Sequence, residues 1–80
     1  MYHIISKIRI HQGAKPYGNS HSVNAFNTKT DCHEYINNNY QVAVRSGATY
    51  ELHNGDVLKV MSENQWYLKQ RFDYILRFLG

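Results

Sequence analysis

Apolar and polar residues alternate at the start of the chain. Tyr2, Ile4, Ile8 and Ile10 fall on one side of a period-two pattern; His3, Lys7, Arg9 and His11 fall on the other, with Ile5 out of step. That pattern predicts a half-buried strand over 2–10 with a basic outer face. Residues 20–28, SHSVNAFNT, form a weaker second strand: Val23 and Ala25 alternate, Phe26 is out of phase, and a bulge near Ala25 would reconcile them. The period then changes. In DCHEYINNN, Cys32, Tyr35 and Ile36 share one helical face, Asp31 with Glu34 three residues on suggests a cap, and three asparagines end the helix.

Period two returns over 40–62 as a meander. Tyr40, Val42 and Val44 make one face of its first strand, and Ser46–Gly47 turns the chain. Ala48, Tyr50 and Leu52 make the second face, Asn54–Gly55 reads as a type I′ hairpin, and DVLKVM returns as the last strand. Ser62 and Gln65 then form a capping box at the head of a helix over 62–79. Its expected buried stripe is Leu68, Phe72, Ile75, Leu76 and Leu79, with Lys69, Gln70, Asp73 and Arg77 in water. Trp66, Tyr67, Tyr74 and Phe78 widen the apolar surface beyond that stripe, a candidate second interface for a partner or a second copy. The order is ββαβββα in one domain over 1–80. The expected class is α+β: a small antiparallel-rich sheet with a C-terminal amphipathic helix packed on one face.

Eighty residues lie near the lower limit for folding without disulfides or metal. The single cysteine, Cys32, allows no internal disulfide and suits a reducing compartment. MYHIISKIRI carries no apolar run that would read as a signal peptide or anchor, and no stretch approaches the roughly 20 apolar residues of a membrane span. A cytoplasmic protein is expected, in a host cytoplasm if the chain is viral. Abundant Asn, Tyr, Ile and Lys point to an AT-rich gene, and small chains of this style are similar to accessory proteins of large bacteriophages.

Charge changes the picture further. The net charge is +3, yet Lys7, Arg9, Lys15 and Lys29 are the only charged side chains before Asp31. A basic N-terminal hairpin that meets phosphate or an acidic protein patch is therefore expected, with Lys7, Arg9, His11, Lys15, Tyr17, His21 and Lys29 as its contact residues.

Within that hairpin, GAKPYGNS has the phosphate-loop spacing G-x-x-x-x-G-K-[ST], with Asn19 in place of lysine. Pro16 removes one cradle N–H, and HSVNAF after Ser20 suits a strand where a phosphate loop launches a helix. The segment reads as a long hairpin loop, and no nucleotide or other cofactor is expected. Cys32 and His33 are adjacent, about 100° apart on a helix, and His3, His11 and His21 lack close-spaced ligand pairs; no metal site is expected. His21 between Ser20 and Ser22, near Lys7, Arg9 and Tyr17, offers a sparse acid–base set for RNA cleavage, but no spacing pairs two such groups. YELHNGDVLKV resembles the L-x-x-G-D-x-L-x-V ending of TGS and S4-type RNA-binding modules; its physical content is a tight turn followed by an apolar strand.

With no catalytic constellation and more aromatic residues than a small core can bury, the sequence favours a non-catalytic binding protein. It would inhibit or adapt a larger macromolecule, in the manner of a phage-encoded inhibitor of a host defence or toxin protein. The alternative is an RNA or single-stranded nucleic-acid binder using the basic hairpin, and a small ribonuclease ranks third.

Overall fold

A computed structural model describes residues 1–8 and 19–79. The elements are β1 (Tyr2–Ile8), β2 (Asn19–Phe26), α1 (Lys29–Asn39), β3 (Val42–Ser46), β4 (Thr49–Leu52), β5 (Val57–Ser62) and α2 (Glu63–Leu79). The expected α+β class and chain order hold. The sheet order, β2-β1-β5-β4-β3, departs from chain order because β5 returns beside β1. Every neighbouring pair is antiparallel. The segment GAKPYGNS lies outside the described residues up to Gly18; β2, not a helix, begins at Asn19.

β2 and β3 are the two edges of the sheet, so the chain must cross the whole face between them. Four inter-strand gaps span about 19 Å. The 11 residues of α1 cover about 16 Å, enough with its flanking turns. α1 starts earlier than the sequence pattern suggests: Thr28 is the N-cap and its hydroxyl accepts from the Asp31 N–H at 3.1 Å. Asp31 thus sits in the first turn, where a carboxylate favours the positive end of the helix dipole. The helix ends without a left-handed asparagine; the Asn39 amide donates back to the Tyr35 carbonyl at 2.9 Å.

Under α1 lies the main core of Ile4, Cys32, Ile36, Tyr50, Leu52, Leu58 and Val60, edged by Tyr2, Phe26, Tyr35, Tyr40 and Val42. Ile5 is also buried, although alternation puts it on the opposite face from Ile4. The reason is a second cover. α2 packs against β1 and β5, and Glu63 in its first turn reaches His3, which shares a face with Ile5. With both faces of β1 covered, an unbroken Ile-Ile pair is what burial requires.

Two bulges correct the strand phases. Ile4 pairs with Asn24 but Ile5 with Ser22, so the extra residue in β2 is Val23, two residues before the expected position, and Phe26 is returned to the core face. In β3, Val42 pairs with Leu52 and Val44 with Glu51, which makes Ala43 the irregularity. Val42 therefore packs on the core with Tyr40 while Val44 is exposed, so the expected Tyr40, Val42, Val44 face holds at its first two residues and fails at the third. A bulge on each edge strand also blunts pairing with another chain.

The turns differ from expectation too. The β3–β4 hairpin has Gly47 at φ +59° in its first central position, the arrangement of a II′ turn. At Asn54–Gly55 only Gly55 has positive φ, so the turn is not type I′. Instead the Gly55 N–H donates to the Leu52 carbonyl at 2.9 Å, and Asn54 Oδ1 accepts from the Asp56 N–H at 2.9 Å in an Asx turn. The Ser62 capping box is formed as expected: Ser62 Oγ accepts from the Gln65 N–H at 3.2 Å, and Gln65 Oε1 accepts from the Ser62 N–H at 3.1 Å.

Candidate partner-binding site

α2 is where sequence and structure part most sharply. Trp66, expected to be available to a partner, is 6 % exposed and serves as the anchor of the helix. The described part of the expected buried stripe is turned outward instead: Leu68 is 65 % exposed, Phe72 62 % and Ile75 52 %, with Tyr67 at 54 %, while the side chains of Leu76 and Leu79 lie outside the described residues. At about 100° per residue, Leu68, Phe72 and Ile75 lie roughly 180–240° from Trp66, on the far side of the helix. One indole can hold a helix to a sheet, but it cannot also bring the opposite stripe to the core. The described apolar arc runs from Tyr67 to Phe72, about 140° wide, and a shallow groove along it is lined by Tyr67, Gln70, Arg71 and Ile75. Within the arc, Arg71 is the only charge among these described side chains.

Most of the expected basic set lies outside the described residues: Arg9, His11, Lys15 and Tyr17, together with the side chain of Lys7 and, on α2, those of Tyr74 and Phe78. Lys7 holds a register position in β1 between Ser20 and Val57. His21 is exposed on edge strand β2 opposite Ser6. Lys29 opens α1, its ammonium 5.7 Å from the centroid of the Tyr2 ring.

Two polar clusters escaped the sequence reading. In the first, His3 Nδ1 is 2.7 Å from Ser22 Oγ, and His3 Nε2 is 3.5 Å from Glu63 Oε1. Among the described residues buried Nε2 has no hydrogen-bond partner, while Tyr67 Oη donates to Glu63 Oε1 at 3.4 Å. Serine, histidine and carboxylate in a row have the membership of a hydrolytic relay. The geometry departs from one: Glu63 stands 3.5 Å from Nε2 without a hydrogen bond to orient the ring, and Ser22 Oγ also lies 3.4 Å from the Asn24 carbonyl. The cluster instead ties the first turn of α2 to β1 and β2.

The second cluster lies on the α1 face. Fully buried Tyr50 hydrogen-bonds through its hydroxyl to His33 Nδ1. The guanidinium carbon of Arg45 sits 5.3 Å from the Tyr50 ring centroid, and its Nε donates to the Gly47 carbonyl at 3.1 Å. Burial pushes the His33 pKa down, and the charges of Arg45 and Lys29 lower it further. Beside it, burial pushes the Cys32 thiol up, against a lowering hydrogen bond from the Phe26 backbone and with a smaller raising effect of Asp31. Sequence reasoning had only the adjacency of Cys32 and His33; the contact of residue 33 with residue 50 and its nearness to residue 45 depend on how α1 crosses the sheet.

Among the described residues no group of three or more His, Cys, Asp or Glu side chains could hold a metal ion. No described helix is long and apolar enough to cross a membrane. No protein-family model matches the chain, and neither a curated protein nor a solved structure is significantly similar to it.

Proposed function

We propose that this chain is a small non-catalytic binding protein that attaches to a larger protein through α2 and thereby blocks or adapts it. The observation that carries this reading is the outward stripe of Leu68, Phe72 and Ile75 opposite the buried Trp66. An apolar helix face that its own domain leaves uncovered is the form of a helix that docks in a groove, with anchors at i, i+4 and i+7. A contact arc of about 140° is broader than the seam of a two-helix coiled coil.

Arg71 supports a foreign partner over a second copy. The stripe runs from Tyr67 to Ile75, so a symmetric antiparallel pair centred on it brings Arg71 against Arg71. A parallel pair does the same, and both set like charges together in a closing interface. A larger protein with an apolar groove and a carboxylate opposite Arg71 meets the same face without that conflict. A phage-encoded inhibitor acting on a host protein is one form such a pair would take.

The test is a photo-reactive phenylalanine analogue at position 72, activated in source cells, with the same analogue at exposed Val44 as control. Adduct formation with one larger protein from position 72 only, lost on Leu68→Asp and on Arg71→Glu, is the expected result. Adducts solely with a second copy of the chain, or equal adducts from both positions, overturn it.

A further inference from the structure

We propose a second, independent contact on the α1 face: Lys29, His33 and Arg45 form a strip that holds the phosphate backbone of a single nucleic-acid strand, whatever its base sequence. Lys29 and His33 are four residues apart, one turn along α1, with Cβ atoms about 5–6 Å apart. Arg45 extends the row from β3 across Tyr50, whose hydroxyl is bonded to the His33 ring. The three basic groups thus form a line rather than a pocket, and a line suits a polymer of regularly spaced anions.

The cations are held in place before any ligand arrives. Lys29 rests by the Tyr2 ring, and Arg45 is fixed by the Tyr50 ring and by its bond to the Gly47 carbonyl. Among the described residues neither Lys29 nor Arg45 has an ion pair with a carboxylate. The helix carboxylates Asp31 and Glu34 are about 200° and 140° around α1 from Lys29, away from the strip. That both cations depress protonation of His33 places all three in one positive potential.

Two further observations choose nucleic acid over an acidic protein, and backbone over bases. Among the described residues the exposed large apolar side chains are Met1, Val23, Val44, Tyr67, Leu68, Phe72 and Ile75, so neither α1 nor the strip supplies the apolar anchor of a protein interface. Of the two aromatic rings in the strip, Tyr50 is fully buried and Tyr2 has Lys29 beside it, which leaves no open platform for base stacking. Contacts of this kind position a strand without reading it.

Fluorescence anisotropy of labelled 12-mers of oligouridylate and oligodeoxythymidylate tests the strip, starting near 50 mM salt. Two cations on single-stranded phosphate contribute about −1.4 to the slope of log K against log[salt], about −0.7 each. Lys29→Ala and Arg45→Ala should each flatten the slope by that amount, equally for both oligomers. His33 should take up its proton at higher pH when the oligomer is bound, read from its imidazole resonances. Leu68→Asp should leave all of this unchanged, which separates the strip from the α2 site. Absent binding at 50 mM salt, full binding by the Lys29→Ala, Arg45→Ala double variant, or equal binding of an oligoglutamate of matched charge each overturns the proposal.

Discussion

Trp66 and Phe72 both lie on α2, and their replacement by alanine should have opposite consequences. Trp66 is 6 % exposed, so Trp66→Ala removes a large side chain from between helix and sheet. Truncations of this kind cost about 3–5 kcal/mol. A chain of this length has a total stability of about 4–12 kcal/mol, so the loss is about a quarter of it or more. Phe72, at 62 % exposure, has little but its own helix to lose. Surface replacements usually stay within about 0.5 kcal/mol, and alanine returns a similar amount through helix propensity. In thermal melts followed by far-UV circular dichroism, about 1 kcal/mol shifts the midpoint of such a domain by 4–8 °C. Trp66→Ala should therefore melt at least about 12 °C lower or fail to fold. Phe72→Ala should stay within about 4 °C of the parent. If Phe72→Ala is the more damaging of the two, the helix is rotated by roughly half a turn from the orientation described and the docking stripe is in fact core.

Three further outcomes follow from local geometry. Cys32 is buried and its thiol pKa is raised by that burial, so native protein at neutral pH should resist Ellman's reagent and react fully only in denaturant; prompt stoichiometric reaction in buffer refutes this. His33 is depressed from 6.5 in the folded state, so the unfolded chain binds its proton more readily. Its contribution to stability is whole above pH 6.5, declines as pH falls through the interval below that value, and should disappear from urea midpoints in His33→Gln. Ser62→Ala removes the hydroxyl that caps α2 and should cost about 1 kcal/mol in urea unfolding, whereas an unchanged midpoint would show that the capping box adds nothing.

The features legible before folding were local ones. Element order and type follow from the period of apolar residues, because alternation and helical spacing are each set by backbone geometry. The capping box at Ser62 was legible for the same reason: its donors and acceptors all lie within four residues. The β2 bulge was legible from Phe26 falling out of phase but misplaced by two residues, and the β3 bulge was not legible at all, since the residue that bulges is decided by what the neighbouring strand offers.

Tertiary structure decided everything that depends on a second element. Ile4 and Ile5 are both buried because α1 and α2 cover opposite faces of β1, a fact absent from residues 2–10. The α2 stripe has the same spacing whether it faces a core or a partner. Periodicity gives the width of an apolar face but not its direction, and among the described residues of α2 it is Trp66 that is buried while Leu68, Phe72 and Ile75 face outward. Likewise Lys29 and Arg45 come near enough to lower the His33 pKa only because β2 and β3 are the two edges of one sheet and α1 must cross between them. Distances between residues far apart in the chain are set by strand order, and strand order is a property of the whole packed sheet.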